Sequence, residues 1–161
     1  RKADYAIVIM ADLANRSVSR TSARELARSC RVPLPVLTNI LHQLLHHGLV
    51  TSTMGAKGGY RLARDAGRIS LAEMIDAIEG RFKLTICCCG EDECEDDRCD
   101  LQDNCQIREP VRRVHDSLRQ LLSTVTLAQL AAETTPISMT IGGTALAPVG
   151  VAETSGVDSE E

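Results

Sequence analysis

Six cysteines fall within the nineteen residues from Cys87 to Cys105, and this segment constrains the chain more than any other feature. Eight acidic side chains and a single arginine lie among them. A loop whose cysteines are about four to six residues apart can wrap a metal ion or an iron–sulfur cluster without regular secondary structure. The segment therefore predicts a thiolate site for iron or zinc.

Charge is distributed unevenly along the 161 residues, although the net charge is only −4. Residues 1–83 carry thirteen Lys and Arg against seven Asp and Glu, a net of +6, whereas residues 84–105 carry one Arg against eight acids, a net of −7. Residues 134–161 have four acids and no base. Phosphate neutralisation needs local positive charge, so the N-terminal part is the candidate for contact with double-stranded DNA.

No apolar run reaches the roughly 18 residues that cross a bilayer, and the first residues lack the hydrophobic stretch of a signal peptide. We therefore expect a cytoplasmic protein with no membrane partner. Clustered cysteines stay reduced in that compartment, which favours metal binding or redox chemistry over a disulfide framework. An enzyme with a reactive cysteine is disfavoured, because acidic neighbours oppose formation of the nucleophilic thiolate.

Apolar spacing and capping signals predict a helix-turn-helix in the basic part. Ser22 and Glu25 match the capping box that opens a short helix. After a short turn, apolar residues recur every three or four positions from Val36 to Gly48, which predicts a helix with one buried stripe. An apolar helix over residues 3–15 precedes this pair and should be mostly buried.

The second helix of such a pair presents its N-terminal end to the major groove. Polar side chains near that end are therefore the candidates for base contact, namely Thr38, Asn39 and Gln43. His42 lies farther along the helix, where a phosphate contact is favoured over a base contact, and a solvated polar face is the favoured interpretation overall.

Short strands near residues 49–51 and 60–62 flank a glycine-rich turn, which predicts the hairpin wing of a winged helix-turn-helix. Lys57 at the tip and Arg61 on the second strand can reach the DNA backbone or an adjacent minor groove. An ordinary glycine-rich hairpin is the alternative. The predicted fold class is mainly α, with a winged helix-turn-helix DNA-binding domain at residues 1–83, a short β-hairpin wing and a long C-terminal dimerisation helix.

The C-terminal half of the sequence predicts a contact between two copies of the chain. A long helix begins near Glu109, and one seam of it is apolar, formed by Val111, Val114, Leu118, Leu121 and Leu122. A lone helix with such a seam needs a partner, and a symmetry mate supplies one. We therefore predict a cysteine-rich loop at 84–105, a dimerisation helix at 106–133, and a disordered tail at 134–161, where Thr, Gly, Ser, Pro and acids prevail.

The cysteine spacings help to distinguish which metal the segment would bind. Five residues lie between Cys99 and Cys105, and four lie between Cys94 and Cys99. Neither spacing is the Cys-x2-Cys knuckle typical of zinc fingers, which favours iron–sulfur over zinc. Adjacent residues point in different directions in an extended chain, so only one residue of the run Cys87–Cys89 is expected to ligate.

Several of these segments together resemble the Rrf2 family of bacterial winged-helix regulators. The resemblance covers about residues 2–133 and is carried by the motifs at 47–50, 55–62 and 75–80 and by the cysteine loop. It implies a homodimer in which the long C-terminal helices cross. Each protomer would then bind one half of a palindromic operator.

The resemblance also implies an iron–sulfur cluster, 2Fe–2S or 4Fe–4S, held by three loop cysteines and a fourth ligand of another type. Cys99 and Cys105 match the last two cysteines of the family, while either Cys94 or Cys87 supplies the first. The run that starts at Cys105 most resembles members that regulate iron–sulfur cluster assembly.

For the fourth ligand, some members have a histidine where this chain has Arg108, which cannot ligate. Members that sense nitric oxide use an aspartate from the other subunit, and Asp4 fits that position, although an acid at a helix N-terminus is equally expected. An iron–sulfur-dependent dimeric regulator of cluster assembly genes, without enzymatic activity, is the leading hypothesis. The alternatives are a repressor stabilised by zinc or thiols alone, and a nitric-oxide or redox sensor of the same family.

Overall fold

The computed structural model describes residues 2–16, 19–55, 58–85, 105–132, 137–141 and 144–149. The elements follow one another as α1 (Lys2–Asn15), α2 (Ala23–Ser29), α3 (Leu34–His46), β1 (Val50–Thr53), β2 (Gly59–Leu62), a short 3-10 helix (Ala66–Arg68), α4 (Leu71–Glu79), α5 (Arg108–Thr124), α6 (Leu127–Ala131), β3 (Ile137–Ile141) and β4 (Thr144–Val149). The predicted fold class is confirmed: it is mainly α, with a helix-turn-helix pair and a two-stranded wing. None of the described helices combines the length and the apolar character needed to cross a membrane.

The core is aliphatic and lies between α1, α3, α4 and α6. One stripe of α1 faces inward, formed by Ala6, Ile9, Met10 and Leu13. Tyr5 and Val8 lie outside this stripe and are 36% and 48% exposed, so the prediction of a mostly buried first helix is wrong on that side. A helix buries only a stripe of its surface against one core, and α1 has more apolar residues than that stripe can hold.

Polar contacts with α1 orient the helix-turn-helix pair. The Ser22 hydroxyl caps α2 by accepting from the Glu25 N–H at 3.3 Å. The Glu25 carboxylate binds Arg16 at 2.9 Å, so only the Ser22 half of the predicted capping box is present. Arg16 also binds Asp12 at 2.6 Å, and Asp12 accepts from the Ser29 hydroxyl at 2.7 Å. Asp12 of α1 therefore holds the end of α2 directly and the start of α2 through Arg16.

The wing is anchored to the segment that precedes α2. β1 and β2 pair antiparallel, and Thr21 adds a bridge to the outer side of β2 at Tyr60. The two residues exchange backbone hydrogen bonds of 2.9 and 3.0 Å, and Thr21 is only 1% exposed. Gly59 permits this approach, because a Cβ atom there would lie 2.7 Å from the Thr21 carbonyl oxygen. Because Gly59 has no side chain, the wing can pair with the backbone of Thr21, and this pairing connects the wing to the core.

The segment after α5 returns to the DNA-binding half of the molecule. The Leu71 N–H donates to the Val125 carbonyl, and the Leu127 N–H donates to the Ile69 carbonyl, each at 2.8 Å. Val125 and Leu127 are buried, and α6 packs against α1. The Thr126 side chain caps α6 by accepting from the backbone N–H of Gln129. The C-terminal end of α5 is therefore fixed to the same core that carries α3.

β3 and β4 pair antiparallel, and β3 lies beside α5. The prediction of a disordered tail is therefore wrong for the two strands. The signal was present in the alternation of Ile137, Met139 and Ile141, which has the two-residue period of a strand. The surrounding Thr, Gly and Pro content obscured it.

Candidate DNA interface and cysteine site

α3 holds the four residues that the sequence assigns to DNA contact. Asn39 and His42 are exposed, whereas Thr38 and Gln43 are half-buried. The Thr38 hydroxyl donates to the Leu34 carbonyl at 2.8 Å, so in this arrangement it can only accept from a base. That geometry suits the amino groups of adenine and cytosine. The roles of these four α3 residues in DNA contact remain predictions.

The wing contributes Arg61, whereas Lys57 lies outside the described residues. Arg61 is exposed on β2, and its Nε donates across the hairpin to the Thr51 hydroxyl at 3.4 Å. Because the neighbouring Tyr60 pairs with Thr21, the strand that carries Arg61 is fixed next to the start of α2. The wing and the helix pair can therefore approach a duplex as one unit.

Cys30 ends α2 and is half-buried against the core. Burial raises the pKa of its thiol, and the Asp12 carboxylate raises this pKa further, while Arg16 acts in the opposite direction. The group therefore stays protonated at neutral pH, and a neutral thiol is a poor metal ligand and a poor nucleophile. Cys30 has a packing role.

Of the five candidate metal ligands, the described residues contain Cys105 and Asp4, whereas Cys87, Cys94 and Cys99 lie outside them. Those described residues bring no group of three or more potential ligands together. Cys105 is half-buried and outside any disulfide. Asp4 is exposed in the first turn of α1, and the neighbouring Ala3 N–H donates to Glu79 at 3.2 Å. The first turn of α1 therefore lies beside the end of α4.

Cys105 lies three positions before Arg108, the first residue of α5, and its carbonyl accepts from the Arg108 N–H at 3.3 Å. Ile107 is the N-cap of α5, so no side chain caps the first turn. The N-terminus of a helix carries partial positive charge and is a favourable neighbour for an anionic sulfur. The described part of the site, a half-buried thiol at a helix start, thus fits the soft ligands that iron–sulfur clusters require.

Two contacts attach the middle of α5 to α4 and to the chain that follows it. Arg119 binds Asp76 at 2.8 Å, and Asp76 accepts from the Phe82 N–H at 3.2 Å. The Phe82 ring stacks on His115, with 5.6 Å between the ring centroids. His115 is 6% exposed, and its Nδ1 has no hydrogen-bond partner among the described residues. Both polypeptide ends of the cysteine segment are thus tied to α5, one through Phe82 and one through Cys105.

The contacts of Asp76 with Arg119 and of Phe82 with His115 were not predicted from the sequence. Asp76 and Arg119 are 43 residues apart, so no local periodicity relates them. The available signal was that Phe82 is the single phenylalanine of the chain and lies soon after the end of α4.

Apolar side chains remain exposed on α5 and around its start. Val114 is 52% exposed and Ile107 is 66% exposed. Between them, Glu109 pairs with Arg112 and Arg113, whose hydrogen bonds lower the pKa of the Glu109 carboxyl. Exposed apolar residues on an amphipathic helix favour a contact with another chain.

Comparisons with known proteins agree with this geometry. A sequence profile of the Rrf2 family, described as iron-dependent transcriptional regulator, matches residues 1–133. The chain is 30% identical over 130 residues to the HTH-type transcriptional regulator IscR of Enterobacter sp. (strain 638), which covers 80% of this chain and 76% of that protein. An HTH-type transcriptional regulator of Aquifex aeolicus is 29% identical over 83 residues, or 52% of this chain and 58% of that protein.

Solved structures are similar as well. Among them is CymR of B. subtilis, named as the global cysteine regulator, with a TM-score of 0.62 and 27% identity over 84% of this chain and 96% of that one.

Proposed function

Because this chain belongs to the Rrf2 family of transcription regulators, we propose that it is a homodimeric DNA-binding regulator whose DNA affinity depends on an iron–sulfur cluster. The observation that carries the proposal is the mechanical connection from Cys105 to the DNA-binding core. Cys105 lies three positions before the first residue of α5, α5 is bound to α4 through Arg119 and Asp76, and the end of α5 is hydrogen-bonded to the start of α4.

In this proposal, Cys99, Cys105 and either Cys94 or Cys87 hold the cluster, and Asp4 of the second protomer is the fourth ligand. When bound, the cluster supplies a redox-active iron centre. The protein's own contribution is to order a segment with a net charge of −7 and to hold its C-terminal end at the start of α5. Loss of the cluster would free that end.

The exposed apolar side chains of Val114 on α5 and of Ile107, its N-cap residue, support the proposed dimer. In a two-fold arrangement, the crossing angle of two α5 helices sets the distance between the two α3 helices. A small movement at Cys105 would therefore alter how well both recognition helices fit successive half-sites of a palindrome. A tenfold change in affinity requires about 1.4 kcal/mol of coupling.

We further propose that the target genes encode iron–sulfur cluster assembly. The support is the resemblance of the Cys105–Arg108 run to regulators of that process, together with the similarity to IscR. Genome-wide immunoprecipitation of the protein on its DNA tests this point. Enrichment only at promoters unrelated to iron–sulfur assembly would reject the assignment.

Anaerobic purification of the full chain tests the cofactor. We expect a brown protein with visible absorption, iron and acid-labile sulfide. Cys99→Ala and Cys105→Ala should lose all three, whereas the matched control Cys30→Ala should retain them, because burial keeps Cys30 protonated. Normal iron and sulfide in either loop variant would remove that residue from the ligand set.

A regulator that uses thiols or zinc without a cluster is the second candidate. The similarity to CymR, named as a cysteine regulator, favours it. The same preparation separates the two, because colourless protein with stoichiometric zinc, or with reduced thiols and no metal, supports this second candidate.

A further inference from the structure

Arg31, in the turn between α2 and α3, has an unusual backbone conformation. Its φ is +53°, and it is the one residue other than glycine with a positive φ among those the structure describes. A side chain is disfavoured in this left-handed region because Cβ approaches the following carbonyl oxygen. A non-glycine residue with this strained backbone is therefore a candidate for a functional role.

The local hydrogen bonds show that the turn itself does not need an arginine. The Val32 N–H donates to the Ala27 carbonyl at 3.1 Å, and the Arg31 N–H donates to the Arg28 carbonyl at 3.4 Å. Val32 is buried against the core. This is a Schellman motif, in which glycine is the preferred residue at the left-handed position.

The same chain builds the same motif a second time, at the end of α3, and there it uses glycine. The Leu49 N–H donates to the Leu44 carbonyl at 2.9 Å, and the Gly48 N–H donates to the Leu45 carbonyl at 3.0 Å. Gly48 has a φ of +66°, and Leu49 is buried as Val32 is. Arg31 and Gly48 thus occupy equivalent positions, and only the first bears a side chain.

The Arg31 side chain is available for a partner. The residue is exposed, and within the described parts of the chain no carboxylate pairs with its guanidinium. It lies three positions before Leu34, where α3 begins at its DNA-facing end, and no side chain caps that end. When the N-terminal end of a recognition helix enters the major groove, residues just before it lie near the phosphates of the groove wall.

We propose that Arg31 is a positioning residue that binds a DNA phosphate and sets how deeply α3 enters the groove. The left-handed backbone places the charged side chain at the turn, and the contact with DNA offsets the conformational cost. This role rests on the DNA-binding function of the family and is independent of the cluster.

Binding of the full-length protein to a fluorescent 30-base-pair duplex of mixed sequence, across a salt series, tests the proposal. Arg31→Gly should be at least as stable to heat as the wild type, because the strain is relieved. It should nevertheless bind the duplex about three- to tenfold more weakly. Its salt slope should fall by about 0.9 for each phosphate that the variant no longer neutralises.

Arg31→Lys keeps the charge and should retain most of the affinity, whereas Arg31→Asn tolerates the backbone and should behave like Arg31→Gly. Arg113→Gln removes one exposed charge from α5 and controls for net charge. Wild-type affinity and slope in Arg31→Gly would overturn the proposal, as would an equally weakened binding by Arg113→Gln. A wild-type protein that binds no duplex would instead refute the DNA-binding function itself, and with it this role.

Discussion

Replacing Gly59 with alanine should separate the wing from the core. The added Cβ would meet the backbone of Thr21 at 2.7, 2.8 and 3.1 Å, and backbone atoms cannot rotate away as a side chain can. The two hydrogen bonds between Thr21 and Tyr60 would have to lengthen or break. Each contributes about 1 kcal/mol, and an alanine at the φ of Gly59 adds about 1 kcal/mol of strain. We therefore expect the free energy of unfolding to fall by about 2–4 kcal/mol.

Urea denaturation followed by circular dichroism measures this change. Gly55→Ala is the matched control, because Gly55 also has a positive φ, +111°, but a Cβ there would meet nothing within 4 Å. The control should lose only the strain of about 1 kcal/mol. If the two variants are equally stable, then the close approach at Thr21 does not support the wing and the reasoning is refuted.

Three other substitutions test separate parts of the structure. Asp76→Asn breaks the ion pair with Arg119 and should cost about 1 kcal/mol of stability while cluster content is retained. The DNA affinity of this variant should then respond less to cluster removal than that of the wild type. An unchanged response would exclude this contact from the coupling. For Glu73, burial raises the pKa, but hydrogen bonds from Ser70 and Arg64 outweigh it and hold the pKa below 4.5. The ionised Glu73 carboxylate therefore stabilises the fold fully above that value, and this stabilisation is lost as pH falls through the lower pKa of the folded state. The free energies of unfolding of the wild type and of Glu73→Gln should therefore converge in acid. A constant difference between them from about pH 6 to about pH 3 would contradict this. Asn39→Ala should reduce discrimination between operator variants by about 1–3 kcal/mol at one base pair and leave non-specific binding unchanged, which competition binding can measure.

Local signals predicted the DNA-binding half well. The three- and four-residue recurrence through Leu37, Ile40, Leu41 and Leu44 predicts α3, and all four side chains are buried. The Ser70 and Glu73 pattern predicts the start of α4, and there both hydrogen bonds of the capping box are present. Such features depend on residues a few positions apart, so the sequence displays them directly.

Features that depend on distant residues were not predictable in the same way. Glu25 could have completed its capping box, but it binds Arg16, which lies just past the end of α1, and the sequence around Ser22 gives no sign of that competing contact. The pairing of Thr21 with Tyr60 and the left-handed conformation of Arg31 likewise depend on the assembled core. The role of Lys57 in DNA contact remains a prediction from the hairpin pattern. The roles of Cys99 and the other candidate ligands in the cysteine segment remain predictions from spacing and resemblance.

The most direct test of the account is the DNA affinity of one anaerobic preparation before and after its cluster is removed by chelation. We expect the two forms to differ at least tenfold on the same operator, which corresponds to about 1.4 kcal/mol of coupling, and Cys105→Ala to show a single affinity. Equal affinities for the iron-loaded and iron-free protein would contradict it.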